Sequence, residues 1–258
     1  MKKIIFCDMD GTIIEDKELY HHKDIENLCK LQEQGHYVVF NTGRNLQEFL
    51  MSAKTLNLPY DYAILSNGGH IIDKDLNDIA KFTIDTSIAC QIIEAAMQYD
   101  FRIYYYDGNR TMSYYNGQSY VYRENSIHGF EAIDLDFVES YKKCQEFGII
   151  ALNQEDLGTE KMLKFKAFID DKFGSEITAI QNQYYLDICP ANCSKGTGVE
   201  QLSFLNATTY GVGDSYNDIS MFKKVDHAYT FNRVNDEIKK HANHYVDYVY
   251  EIVDEMLK

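Results

Sequence analysis

Two aspartates, Asp8 and Asp10, close the hydrophobic run that opens the chain in MKKIIFCDMDGT. Carboxylates one residue apart repel each other unless something positive stands between them. A bound cation or a placed lysine meets that need. Three further polar stretches carry residue types suited to the same chemistry: NTGR at 41–44, CPANCSKGTG at 189–198 and GDSYNDISM at 213–221. Thr42 and Gly43 offer a hydroxyl and freely oriented backbone N–H donors, and Lys195 offers a point charge. Asp214 and Asp218 stand four apart around a turn, so both can face one centre. Singly, each has a plainer reading. An Asp-x-Asp-Gly is most often an exposed turn, a lone lysine a solvated surface residue, and one aspartate of GDSYND a helix cap. Their placement in the fold decides between the two readings.

The elements around them alternate. Residues 3–7 (KIIFC) read as a buried strand, and Ile25, Leu28 and Leu31 mark a helix closed by Gly35. Residues 37–40 form a strand running into NTGR. Leu46, Phe49, Leu50, Ala53 and Leu56 form a helical stripe ending at Pro59, and 62–65 is a strand that leads into SNGG. The rhythm returns late: a helix through Val199, Leu202 and Leu205, a strand in TTYGVGD, a short helix in SYNDISMFKK, a strand in HAYTF, a helix in NRVNDEIKKHA and a closing helix in YEIVDEMLK. Strand and helix in alternation predict an α/β fold, a Rossmann-like parallel sheet with helices on both faces. Ligands of such sheets bind beyond the carboxyl ends of the strands. All four polar stretches belong to that edge, so the functional reading is favoured.

Between the halves the texture changes. A helix over 87–99 leads to tyrosine-rich strands in FRIYYYDGN and TMSYYNGQSYVY, with Asp107-Gly108 and Asn116-Gly117 as turns. FGIIAL, EITAI and YYLDI (184–188) are further strands, with a helix over 160–173. A helix followed by two strands thus occurs twice, which predicts an inserted α+β domain over 82–185, between core parts at 1–81 and 186–258.

DMDGT, the Thr42-Gly43 turn, the Lys195-Gly196 site and GDSYND together resemble the four motifs of the haloacid-dehalogenase (HAD) superfamily of phosphohydrolases. The insertion resembles the type IIB cap of its Cof-like branch. The resemblance implies a Mg2+-dependent phosphatase that hydrolyses small phosphorylated metabolites, sugar phosphates among them, through an aspartyl-phosphate. It implies Asp8 as nucleophile and Asp10 as the acid that protonates the leaving oxygen, then as base toward water. Mg2+ would be held by Asp8, the Asp10 carbonyl and Asp214, with Asp218 as a further ligand or an acceptor beside them. Thr42, Gly43 and Lys195 would bind phosphate, Asn217 would help orient the lysine, and Gly11 and Thr12 would shape the turn. Arg44 either assists or turns outward, and Asn67 and Gly68 border the substrate. A phosphotransferase or phosphomutase using the same aspartyl-phosphate, and a non-catalytic binding protein, are the alternatives.

Composition narrows the partners. The chain has 258 residues, 45% hydrophobic and 14% aromatic, enough for a packed core. A formal net charge of −15 argues against nucleic acid or an anionic membrane surface as partner. The cysteines are scattered without a CxxC pair and read as free thiols of a cytoplasmic protein. Cys7 reads as a core residue. The expected partner is a small phosphorylated metabolite, and the chain a monomer or a homodimer. In the insertion, aromatics favour half-buried strands, while Arg102, Arg110 and Arg123 are candidates for a second anionic group.

Overall fold

The structure is a computed structural model describing residues 1–15, 19–123, 129–153, 159–182 and 185–258. Along the chain the first elements are β1 (Lys3–Cys7), β2 (Ile14–Glu15), β3 (Leu19–Tyr20), α1 (His22–Glu33), β4 (Tyr37–Asn41), α2 (Leu46–Leu56), β5 (Tyr62–Leu65), β6 (His70–Asp73) and β7 (Asp78–Lys81). Then come α3 (Thr86–Met97), β8 (Arg102–Tyr106), β9 (Thr111–Tyr115), β10 (Gln118–Tyr122), β11 (Phe130–Ile133), α4 (Phe137–Lys143), β12 (Ile149–Asn153), α5 (Thr159–Phe173), β13 (Ile177–Asn182) and β14 (Tyr185–Pro190). The chain finishes with α6 (Lys195–Gln201), β15 (Thr208–Val212), α7 (Ile219–Phe222), β16 (His227–Phe231), α8 (Asp236–Lys239), β17 (His244–Val246) and α9 (Val249–Met256). Two compact units result: Met1–Arg44, Ser52–Lys81 and Ser194–Lys258 in one, Asn45–Met51 and Phe82–Cys193 in the other.

Among the described residues, the first unit holds an eight-stranded sheet ordered β17-β16-β15-β1-β4-β5-β6-β7. Pairing is parallel from β17 to β5. β6 and β7 add an antiparallel edge that hydrophobic periodicity did not announce. β1 lies at the centre and is buried almost throughout, because side chains on a doubly covered strand meet protein on both faces. Ile4 and Phe6 join Val39, Ile64, Val199, Met221 and Phe222 in one core layer, against α6 and α7. The opposite face is covered by α1 and α9, joined by Asn27 Nδ2 donating to Asp254 Oδ1 at 2.9 Å. Gly35, at φ +82°, follows α1 and lets the chain reverse into β4. The helices expected in SYNDISMFKK (215–224) and NRVNDEIKKHA (232–242) are shorter still: a 3-10 turn over Tyr216–Asp218 precedes α7, and only four residues of the latter stretch form α8.

The second unit holds an antiparallel sheet ordered β11-β10-β9-β8-β12-β14-β13 among the described residues. Its core side gathers Ile103, Tyr105, Met112, Ile150, Leu152, Leu186 and Ile188 with α3, α4 and α5. β11 and α4 were not anticipated, since a four-residue strand and a seven-residue helix carry too few periods to register. The expected domain boundary at 185/186 falls at the first bond of β14. That strand pairs with β12 and β13 along its length, so the unit runs on to Cys193. Tyr184, which opens the expected strand 184–188, lies outside the described residues. The tyrosines divide by strand alternation. Tyr105 is a core residue, while Tyr104 alternates to the other face beside Phe130 and Tyr185. Arg102 lies 4.8 Å over the Tyr115 ring, whereas Arg110 and Arg123 are exposed and face Asp107 and Glu131. Among the described residues, no helix is long and apolar enough to cross a membrane.

Candidate active site

The site begins where β1 stops pairing. The Asp8 N–H donates to Val212 O at 3.0 Å, which fastens the end of β1 to the end of β15. The chain then turns back at once, with the N–H groups of Thr12, Ile13 and Ile14 all reaching Met9 O at 3.2, 2.9 and 2.8 Å. Gly11 sits at the tip with φ +83°, and a Cβ there would stand 2.2 Å from Asp214 Oδ2. Only glycine both takes that backbone conformation easily and lets the turn pass the Asp214 carboxylate. Thr12 Oγ1 is within 3.3 Å of Asp8 Oδ2 and 3.5 Å of Asp214 Oδ1, so it bridges the two loops.

Lys195 opens α6. Ser194 caps that helix, its Oγ accepting the Thr197 N–H at 3.1 Å while Thr197 Oγ1 accepts the Ser194 N–H at 2.9 Å. The lysine is wholly buried. Its ammonium donates to Asp8 Oδ1 and, at 2.6 Å, to Asp218 Oδ1. Asp218 Oδ2 in turn accepts the N–H groups of Asp214 (3.1 Å) and Ser215 (2.9 Å), which fixes the loop after β15. Among the described residues, Asp8, Asp214 and Asp218 form a group whose oxygens lie within 4.8 Å of one another.

Charge in this pocket is out of balance. Three carboxylates meet one ammonium, and little water reaches them. Burial, then the Asp218 carboxylate, pushes Asp8 well above the usual carboxylate range even against Lys195. The same two causes push Asp214 up to about 6. For Lys195 burial alone would favour the neutral amine, but Asp218 and Asp8 outweigh it and raise its pKa. Burial likewise pushes the Cys7 thiol up, as befits an unreactive core cysteine.

The remaining expected residues fall into two groups. Asp10 does not join Asp8. Its side chain is 52% exposed, and Arg44 takes it in a two-pronged pair, Nε to Oδ2 at 2.8 Å and Nη2 to Oδ1 at 2.6 Å. Arg44 therefore turns inward, and it also donates to Ser52 Oγ. The Thr42 N–H is used by Ile64 O at 2.9 Å, so of Thr42 the hydroxyl is what faces further chemistry. That hydroxyl accepts the Arg44 N–H at 3.1 Å and keeps its own proton to donate. Gly43 supplies the next amide. Asn67 and Gly68, expected beside the substrate, are buried, and Asn217 donates to Asn67 Oδ1 at 3.1 Å. Asn217 thus meets Asn67, while Lys195 is oriented by its two carboxylates.

Three further residues support these loops. Asn41 Nδ2 donates to Lys195 O at 3.0 Å and ties β4 to the start of α6. Thr230 Oγ1 donates to Gly213 O at 2.8 Å. Arg233 lies over the Phe231 ring and donates to Gly11 O, holding the turn from outside. Thr230, buried within β16, and Arg233, just beyond that strand, show these roles only once the loops are assembled.

A family model for haloacid dehalogenase-like hydrolases matches residues 5–253. The chain belongs to that family. Within it the chain falls in the Cof-like branch. Among curated relatives, it is 22% identical to the 5-amino-6-(5-phospho-D-ribitylamino)uracil phosphatase YwtE of Bacillus subtilis, over 92% of this chain and 90% of that one. It is also 22% identical to an HMP-PP phosphatase of Yersinia pestis, over 93% and 87%. Among solved structures, a haloacid dehalogenase-like hydrolase from B. subtilis shares the fold at a TM-score of 0.80 with 20% identity, across 100% of this chain and 99% of that one. The subclass IIB sugar phosphatase BT4131 does so at 0.76 with 16% identity, across 100% and 98%.

For a haloacid dehalogenase-like hydrolase the implied cofactor is Mg2+, and the donor set fits it. Carboxylate oxygens are the ligands this hard cation prefers. The cluster carries two negative charges beyond what Lys195 neutralises, and a divalent cation supplies that amount. Asp8, Asp214 and the Asp10 carbonyl would hold it, with Asp218 beside them.

Proposed function

We propose that this phosphatase hydrolyses small phosphorylated metabolites, sugar phosphates among them, through a phosphoryl group carried on Asp8. The observation that carries the reading is the buried arrangement of Lys195 between Asp8 and Asp218, with Asp214 within reach. The substrates named for the Bacillus and Yersinia relatives support the class, since each is a phosphorylated small molecule. The six cysteines are free thiols, which supports a reducing, cytoplasmic setting.

Asp8, Asp214 and the Asp10 carbonyl would hold Mg2+, which would supply neutralisation of the negative charge gathered at the site. Lys195, already an ammonium, and the Thr42 hydroxyl bind the other phosphate oxygens and stabilise charge spread over them during in-line transfer. An Asp8 oxygen attacks phosphorus, the bond to the leaving oxygen breaks, and the Asp10 carboxyl, protonated once it is released from its pair with Arg44, gives that oxygen its proton. Arg44 sets the orientation of Asp10. In the second half the Asp10 carboxylate takes a proton from water, which attacks the acyl phosphate and releases Asp8 and inorganic phosphate. Splitting one hard hydrolysis into two transfers is what the carboxylate nucleophile contributes.

The test is phosphate release across a panel of phosphorylated metabolites and one aryl phosphate, comparing wild type with Asp8→Asn in Mg2+ and in EDTA. Turnover that needs Mg2+ and vanishes in Asp8→Asn is expected. Full turnover by a purified Asp8→Asn protein would sink the mechanism.

A further inference from the structure

The segment joining β5 to β6 is conformationally unusual. Ser66, Asn67 and Gly68 take φ values of 50°, 50° and 92° in succession, and all three are buried. Two adjacent non-glycine residues in the left-handed region are strained, and such strain persists only where the surroundings over-determine it. Three different loops supply that determination. The Ser66 N–H donates to Arg44 O at 2.9 Å and the Asn67 N–H to Thr42 O at 3.0 Å, so the turn's backbone clasps 42–44. The Asn67 side chain accepts Asn217 Nδ2 at 3.1 Å, within the loop that carries Asp214 and Asp218. On the third side, a Cβ at Gly68 would stand 2.3 Å from Ser194 O, one residue before Lys195. No L-residue fits there without moving the start of α6.

We infer that Ser66–Gly68 is a clamp that holds the phosphate-binding hydroxyl, the lysine and the carboxylate loop in mutual register. Asn67 is its positioning residue. It acts through Asn217 on the carboxylates and through the Thr42 carbonyl on the neighbouring hydroxyl. The clamp deepens the phosphatase reading and rests on it for its kinetic consequences, while its effect on metal binding does not.

The two arms separate by substitution. Asn67→Gly keeps the left-handed backbone and deletes the amide, whereas Asn67→Ala deletes the amide and also disfavours the backbone. Mg2+ titrated calorimetrically into metal-free protein should bind about tenfold more weakly to Asn67→Gly, because Asn217 loses its buried acceptor. KM for an aryl phosphate should then change by less than about twofold, since the clasp on Thr42 remains. Asn67→Ala should weaken Mg2+ binding as much and also raise KM about threefold or more. Asn217→Ala should match Asn67→Gly, and the double variant should be no worse than either single one, because both delete the same bond. Circular dichroism checks that each variant is folded. Wild-type Mg2+ affinity in folded Asn67→Gly, or a lowered melting temperature as its sole change, overturns the clamp. A wild type that binds Mg2+ without releasing phosphate, alongside a weakened Asn67→Gly, supports the clamp and removes the proposed function.

Discussion

The two units are built on opposite principles. In the first, the decisive contacts are polar: Lys195 buried between two carboxylates, Asp218 under two backbone amides, and Arg44 forked onto the half-exposed Asp10. In the second, the core side of the sheet is sealed by rings. Tyr99 and Phe101 stack on each other, Phe165 meets both edge-on, and Tyr105 meets Phe137 and Phe147. Changes of charge should therefore dominate in the first unit and changes of volume in the second. The first unit also holds a surplus of buried negative charge around Lys195, which fits the proposed cation.

The sharpest break of the comparison is Asp8→Asn. Phosphate release should fall by at least about a thousandfold, while the melting temperature of the metal-free protein holds or rises, because one of three crowded carboxylates is gone. A parallel collapse of stability would mean that Asp8 is mainly structural. Next in size is Lys195→Met, which leaves Asp8 and Asp218 buried without a counter-charge and should cost about 3–5 kcal/mol in denaturant unfolding. Phe165→Ala provides the matching loss in the second unit. The ring is fully buried, and its removal should cost about 3–5 kcal/mol through the cavity left behind. It should leave Mg2+ affinity unchanged, whereas Lys195→Met should alter it.

A smaller effect follows from pH. The folded pKa of Asp214 is about 6 and that of an unfolded aspartate about 3.9, so between those values the folded state binds more protons. This group's stabilisation is complete below about pH 3.9 and is lost as pH rises through about 6. In EDTA the melting temperature should fall across that window, by the equivalent of about 1–3 kcal/mol. Mg2+ should reverse the fall above pH 6, where the ligands are ionised. Asp24, pushed up to about 6 by burial, adds a slope of the same sign, so Asp214→Asn should flatten the curve only in part. The smallest effect is Tyr105→Phe, which removes the hydroxyl bonded to Ser140 and should cost about 1 kcal/mol with no change in turnover.

Legibility followed the same division. β1, β4, β5 and β15 could be read because a doubly buried strand must be apolar and because each ends in an abrupt polar turn. Asp8, Lys195, Asp214 and Asp218 were legible for the same reason, since their types are costly at a sheet edge without a ligand to share. Asp10, two residues on from Asp8, would point the same way on an extended chain. The chain stops being extended at Met9, and Arg44 draws the carboxylate aside. Asn67, expected to border the substrate, has a left-handed backbone and meets Asn217, a contact the sequence did not announce.

What the sequence determined by itself was the alternation of strand and helix, the edge at which polar residues collect, and the chemistry those residue types can perform. These depend on local periodicity and on the cost of placing charge beside an apolar strand. Tertiary structure alone decided which carboxylates share the lysine, which amide fastens the carboxylate loop, and that β14 belongs with β12 and β13. Those outcomes depend on contacts between residues as far apart as Asp8 and Lys195. No period or spacing along the chain encodes such a meeting, because it exists only once the strands have chosen their neighbours.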